Sequence, residues 1–409
     1  MRKSSLLVVS IAVTGALTLS ACGSRGEKSG SENAGGGTKV VIGVDAPLTG
    51  KLSALGLGIK NSVDLAVQKA NKEKTVPGVT FEVQGLDDQA NPTSGQQNAT
   101  KLVGDKTVLG VVGPLNSSVS LTMQKVFNDA KLAQVSPANT NPQLSLGPDW
   151  GTGKFARPYA SYFRTATTDV VQGKFAAQYL YNDAKKTKVF VIDDKKTYGA
   201  GLANIFQEEF KKLGGTVVGA DHINPDDKDF SAVATKVKAS GADSVYYGGE
   251  YPEGGPLTDQ IKKAGAQIPL FGGDGLYDDE FIKLSNNNSN GDLATSVGAP
   301  VEELDSAKAF IADYKAAGYK DPYAAYGGYS YDAAWSIIEA VKATVAANGG
   351  KVPDDARAKV IDALSKVSFD GVTGKVSFDQ YGDTSNKQLT VYTVKDNKWV
   401  SVKSGTYTG

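Results

Sequence analysis

The chain has 409 residues, with 44 Lys+Arg against 44 Asp+Glu and therefore no net formal charge. That length accommodates two domains, and the charge balance gives no bulk attraction to nucleic acid or to an acidic membrane surface. One Cys and one His exclude more: zinc sites want several such ligands, and Ser/His/Asp or Cys/His catalysis would have to move every proton through His222.

At the N-terminus, Arg2 and Lys3 precede an apolar stretch at 6–19, too short to span a membrane stably. Residues 1–21 read as a signal peptide. The stretch ends in LSAC (19–22), which looks like a bacterial lipobox with Cys22 as the lipidated residue. An ordinary signal peptide with a chance cysteine is the alternative. The chain's only cysteine stands where lipidation needs it, and two or three acyl chains anchor far better than one. The stretch 23–38, GSRGEKSGSENAGGGT, is rich in Gly and Ser. With Cys22 it reads as a flexible tether with a reach of roughly 20 Å by coil statistics.

From Lys39, strand and helix patterns alternate. KVVIGV (39–44) reads as a buried strand, 57–72 as a helix, 79–88 as a strand and 94–105 as a helix. VLGVVG (108–113) is a strand, 118–131 a helix and LAQVSP (132–137) a strand. This βαβα order argues for a parallel sheet covered on both faces. The pattern restarts with a helix at 170–183, a strand at 187–194 and a helix at 198–215. TVVGAD, FSAVATKVKASG, ADSVYYGG, the helix through TDQIKKAGA and IPLFGGD continue it. Helices at 303–318, 328–346 and 354–366 precede alternating strands at 375–379, 388–396 and 398–402. The fold class is α/β, with two lobes that pattern alone sets in series.

In open α/β sheets, ligands sit beyond the carboxyl ends of the strands, and two lobes place a cleft between those ends. The turns expected to face it in the first lobe are APLTGKLSALG (46–56), GPLNSS (113–118) and SPANTNPQL (136–144). They are rich in hydroxyls and amides and lead into helices, whose N-termini bind carboxylate or phosphate. Ser117 and Ser118 are open to three readings: nucleophile, helix cap or anion cradle. A chain with one remote His disfavours the first. The second-lobe turns DDKKTYG, YYGGEYPE and GGDGLYDD carry Tyr198, Glu250, Tyr251, Glu253, Asp274 and Tyr277. Carboxylates opposite anion-binding turns suit a zwitterion, and an α-amino acid is the obvious small one. His222, in ADHINPDD, is expected in a loop after the second strand of that lobe, away from the cleft. No G-x-S-x-G or G-x-x-x-x-G-K-[ST] occurs, and GLGIKN (56–61) lacks the third glycine of a dinucleotide fingerprint. No catalytic residue, cofactor or metal is expected.

VVGPLNSS, VSPANTNPQL, FRTATTDVVQG, TYGAGLA, KDFSA, VYYGG-x-YPE, FGGDG and YAAYGGYSYDAA follow one another in order. Over about 39–403 this resembles the branched-chain amino-acid (Leu/Ile/Val) binding proteins of ABC importers, with the type I periplasmic-binding-protein fold. The resemblance implies two doubly wound lobes joined by three hinge crossings, with the ligand cleft between them. The crossings fall near 166–169, 299–300 and 379–387. Lobe one then comprises 39–166 and 300–380, and lobe two 167–299 and 381–409, which replaces the reading of lobes in series. The ligand carboxylate would meet Ser117, the backbone at Ala138 or Asn139, and Thr140; Ser118 would be the helix cap. The ammonium would meet Asp274, where the family usually has Glu, and a carbonyl near Ala138. Tyr198 would close over the ligand, and Leu55, Leu115 and Tyr326 would line its side chain. Three departures bear on preference: Leu55 replaces a frequent aromatic, Glu250 a frequent Tyr, and Asp274 is one methylene short. Ala90 and Asn116 stand where some relatives keep a cleft disulfide.

The resulting expectation is an extracytoplasmic, lipid-anchored, monomeric binding protein, not an enzyme. It captures an amino acid, branched-chain or aliphatic above others, for the membrane subunits of an ABC permease. No nucleic-acid partner is expected. The alternatives are a sensing module for a partner receptor, or a binder of another small amide or carboxylate solute.

Overall fold

The structure, a computed structural model, describes residues 37–407. The expected signal peptide, Cys22 and the tether up to residue 36 lie outside the described residues. Thr38, expected to end the tether, is already in a strand.

The first sheet is all parallel, in the order β2-β1-β3-β4-β5, with β1 (Thr38–Ala46), β2 (Val79–Asp87), β3 (Val108–Val112), β4 (Ala133–Ser136) and β5 (Tyr162–Arg164). Helices α1 (Ser53–Glu73), α2 (Pro92–Gly104), α3 (Ser117–Asp129) and the short α4 (Gln143–Leu146) alternate with these strands. Residue alternation in β1 divides the core, because successive side chains of a strand point to opposite faces. Val41 packs with Leu102, Val119, Met123 and Phe127 of α2 and α3. Val40, Ile42 and Val44 pack with Ile59 and Val63 of α1 on the other face.

After β5 the chain crosses at 165–168 into α5 (Asp169–Gln178), which a π-helical turn at Tyr179–Asp183 extends. There follow β6 (Lys188–Asp193), α6 (Thr197–Lys212), β7 (Thr216–His222), α7 (Ser231–Ala239), β8 (Ser244–Gly248), α8 (Tyr251–Lys263), β9 (Leu270–Gly272), α9 (Asp279–Leu284) and β10 (Leu293–Ser296). The chain then returns to the first sheet with α10 (Lys308–Ala317), α11 (Gly327–Ala347) and α12 (Ala356–Leu364). Here α11 packs on α1 and over β3 and β4. The hairpin of β11 (Ser368–Gly371) and β12 (Gly374–Ser377) forms a sheet of its own, so the strand expected at 375–379 does not join the tail. A last crossing at 378–387 leads to β13 (Gln388–Lys395) and β14 (Lys398–Thr406). The second sheet runs β14-β13-β10-β9-β8-β6-β7, parallel except for the two antiparallel tail strands. Its core includes Phe206 of α6 stacked on Tyr246 of β8, ring centroids 3.5 Å apart.

Three short strands escaped the sequence reading: β5, β10 and β11. The first and last crossings are tied together by a buried ion pair. Arg164, fully buried at the end of β5, places Nε 2.6 Å from Asp383 Oδ1 in the last crossing. Its Nη2 donates to Ser145 Oγ (2.6 Å), which donates in turn to Asp383 Oδ2 (2.9 Å). Among the described residues no helix is long and apolar enough to cross a membrane.

Candidate functional site

β1 has β2 and β3 as neighbours, and β6 has β7 and β8. Each sheet therefore has a topological switch point at its carboxyl edge, where ligands bind in this architecture. The two edges face one another across a narrow cavity. It is lined by Leu55, Leu115, Asn116, Ser117, Ala138, Tyr198, Glu250, Asp274, Gly275 and Tyr326. Nine of the eleven residues expected at a ligand site thus share one cavity; Asn139 and Thr140 do not reach its wall.

On the first-sheet side, β3 ends in Gly113, whose φ of +117° and whose closeness to the Asp45 carbonyl both suit glycine. The turn after it delivers Ser117 as the first residue of α3, beside N–H groups that have no partner within the helix. Asn116, not Ser118, holds the cap position; Ser118 lies inside the first turn. The Asn116 side chain makes no capping bond and instead donates Nδ2 to Glu250 Oε1 on the far side of the cavity. The reading of Ser118 as cap fails because α3 begins at Ser117, one residue earlier than expected, so the cap position falls on Asn116.

The loop after β4 is stitched to the Gly113–Ser117 turn. Ser136 Oγ donates to Pro114 O (2.9 Å) and accepts the Asn139 N–H (2.9 Å). Asn139 Nδ2 donates to Leu115 O (2.8 Å) and Pro114 O (3.2 Å). Arg164 Nη1 donates to Asn139 O (3.2 Å) and Asn141 O (2.8 Å). Asn139 is thus engaged on both sides as a brace. Thr140 accepts the Asp169 N–H at its carbonyl (2.8 Å), while its buried Oγ1 has no partner.

On the second-sheet side, Asp274 sits in a single 3₁₀ turn after β9 and is fully enclosed. Its Oδ1 accepts from Tyr198 OH (2.8 Å) and Gln172 Nε2 (2.9 Å), and its Oδ2 from Tyr326 OH (2.7 Å). Burial pushes its carboxyl above the usual range, opposed by bonds from Tyr326, Gln172 and Tyr198. Tyr326, expected against the ligand side chain, is thus also a direct cross-cleft bond. Gln172 was not singled out in the sequence. It lies on α5 in the DVVQG stretch, in the turn that Asp169 opens, and no local signal marks it. Asp169, one turn earlier, is also buried; burial and the Asp274 charge push its carboxyl up to about 8.

Glu250 precedes α8 and pairs with Lys196 Nζ through Oε2 (2.7 Å). Burial and the Glu250 charge push Asp194 up to about 7. Burial opposes protonation of Lys196, but Glu250 and Asp194 together raise it above the ordinary lysine value. Further bonds bridge the cleft: Lys51 Nζ to Asp226 (2.7 Å) and Glu253 (3.2 Å), Tyr251 OH to Lys51 O (2.6 Å), and Asn141 Nδ2 to Thr197 O (2.9 Å). His222 is the last residue of the edge strand β7 rather than part of a loop. Its ring lies 2.7 Å from Asp193, its side chain is 58% exposed, and it does not line the cavity.

A family model described as periplasmic binding protein matches residues 39–398. The chain belongs to that family. Among members, it is 32% identical over 369 residues to a Leu/Ile/Val-binding protein homolog of Brucella melitensis, covering 89% of this chain and 94% of the relative. It is also 32% identical to a Leu/Ile/Val-binding protein of Rhizobium johnstonii, with the same shares covered. Among solved structures of the family, a leucine binding protein from Thermotoga maritima superposes with a TM-score of 0.78 at 26% identity, covering 89% of this chain and 98% of its own. A branched-chain amino acid transporter binding protein from Streptococcus pneumoniae, in complex with isoleucine, gives 0.78 at 25%, covering 90% and 99%. The fold is therefore the type I periplasmic-binding-protein fold. A solute binding protein of an ABC transporter from R. palustris, in complex with 4-hydroxybenzoate, shares that fold with a TM-score of 0.77 at 20% identity, covering 90% of this chain and 97% of its own.

Proposed function

We propose that this protein is an extracytoplasmic solute-binding protein, anchored through lipidated Cys22, that captures an α-amino acid by hinge closure. The closed form is delivered to the membrane subunits of an ABC permease. The lobes are 39–166 with 300–380, and 167–299 with 381–409. The observation that carries this reading is the pairing of unlike chemistry across one cavity: Ser117 and the start of α3 on one side, and the enclosed Asp274 carboxylate on the other. A helix N-terminus stabilises an anion, and ammonium meeting carboxylate at 4 Å gains about 4 kcal/mol at an effective dielectric of 20. The relatives named for Leu, Ile and Val support an amino acid as ligand, since each is matched along nearly its whole length. Ser117 and the Ala138 backbone would take the carboxylate, with Thr140 behind them. Asp274 would take the ammonium, and Leu55, Leu115 and Tyr326 the side chain.

A thermal-shift screen of the twenty amino acids tests it. A ligand at 100 times its Kd adds about 2.7 kcal/mol to stability, so at least one amino acid should raise the melting temperature clearly. A shift with a sugar or nucleobase and with no amino acid would refute the reading.

A further inference from the structure

The side-chain end of the cavity is not apolar throughout. With Ser117, the Ala138 backbone and Asp274 assigned to the backbone groups of an amino acid, the remaining wall consists of Leu55, Leu115, Tyr198, Gly275 and Tyr326 together with the polar pair Asn116 and Glu250. Asn116 is only 6% exposed. Its Nδ2 is spent on Glu250, and a paired carboxylate only accepts, so the amide must turn its NH₂ that way. Its Oδ1 is thereby fixed as a buried acceptor, and it has no partner. Glu250 takes one donor on each oxygen, from Asn116 and Lys196, and a carboxylate has room for about four. Lys196 already supplies a cation to this corner, 2.7 Å from Glu250 and 3.9 Å from Asp194. What the corner lacks is a hydrogen-bond donor for Asn116 Oδ1.

We propose that the preferred ligand is an α-amino acid with a short apolar stem and a neutral donor, a hydroxyl or carboxamide, that binds Asn116 Oδ1 and Glu250. The proposal rests on the amino-acid reading above and narrows its substrate class. Leu55 and Leu115 accommodate the stem; the tip completes the polar corner where the two sheets' edges meet. A purely aliphatic side chain would close the cleft over an unsatisfied acceptor. Sites built to hydrogen-bond a ligand group reject isosteres that lack it.

Two isosteric pairs test this by calorimetry on the intact folded protein: Thr against Val, and Asn against Leu. The donor-bearing member of at least one pair should bind ten times or more tightly than its partner. Asn116→Leu should then erase or invert that preference while the aliphatic member still binds. Val at least as tight as Thr, together with Leu at least as tight as Asn, would overturn the proposal and leave the amino-acid reading standing. Absence of binding by any amino acid would overturn both. The wild-type comparison needs no variant, so misfolding of Asn116→Leu cannot shelter the idea.

Discussion

Asp274 and Asp169 are both enclosed acids within reach of one another's charge, yet they are held differently. Asp274 receives three side-chain donors, whereas Asp169 keeps an oxygen without any partner. The three donors of the first arrangement oppose the rise that burial imposes and leave a site that suits an ammonium ligand. Asp274→Ala should therefore weaken amino-acid binding tenfold or more by calorimetry; unchanged affinity would remove it from the site. The second arrangement favours the neutral acid. Asp169 titrates near 8 in the fold against an ordinary 3.8, so between those values the folded chain holds a proton that the unfolded chain has lost. Its contribution to stability is present at low pH and falls as pH rises through that window, by up to about 1.4 kcal/mol per pH unit. Denaturant midpoints at pH 5 and pH 8 should converge in Asp169→Asn relative to wild type, and an unaltered pH slope would contradict this. At this scale the sequence was informative about position and silent about partners. Residue type and strand-end placement located Ser117, Glu250 and Asp274, but nothing in GPLNSS tells that Asn116 reaches Glu250, 134 residues downstream.

Long elements were legible because their patterns repeat. The 21-residue α1 and α11 carry several helical turns each, and the buried run of β1 is unmistakable. β5 and β10 have three and four residues and contain Arg164 and the half-polar run LATS. β10 exists because β9 and β13 on either side supply hydrogen bonds, and β5, at the sheet's edge, because β4 does, and no local signal encodes that. Arg164 shows what this costs a reader of sequence. A buried arginine in a three-residue strand looks like surface, but it binds Asp383 and also holds the carbonyls of Asn139 and Asn141. Arg164→Met leaves Asp383 enclosed without its cation and should destabilise the fold by about 3–5 kcal/mol. Adding Asp383→Leu should restore much of that loss in a chemical-denaturation measurement. The double variant should nonetheless bind ligand more weakly, because the loop after β4 has lost its brace; full affinity would show that the loop holds its shape unaided.

Across the whole molecule, the cleft is bridged directly by Tyr326–Asp274, Asn116–Glu250 and the Lys51 contacts. Each joins parts of the chain far apart in sequence, so closure is a property of both sheets together. The proposed anchor is independent of it. Cys22→Ala should move the protein from the membrane to the soluble fraction in cell fractionation, with ligand affinity unchanged; persistent membrane association would rule the anchor out. The three crossings impose one more consequence. β3 ends at Val112, yet α11, which covers it, starts only at Gly327. Such distant pairings form slowly, and β3 and β4 lack their α11 cover until residues 327–347 have been synthesised. In a protein exported as proposed above, this interleaving would act as a built-in delay: the front half would complete its cover only when the back half has arrived.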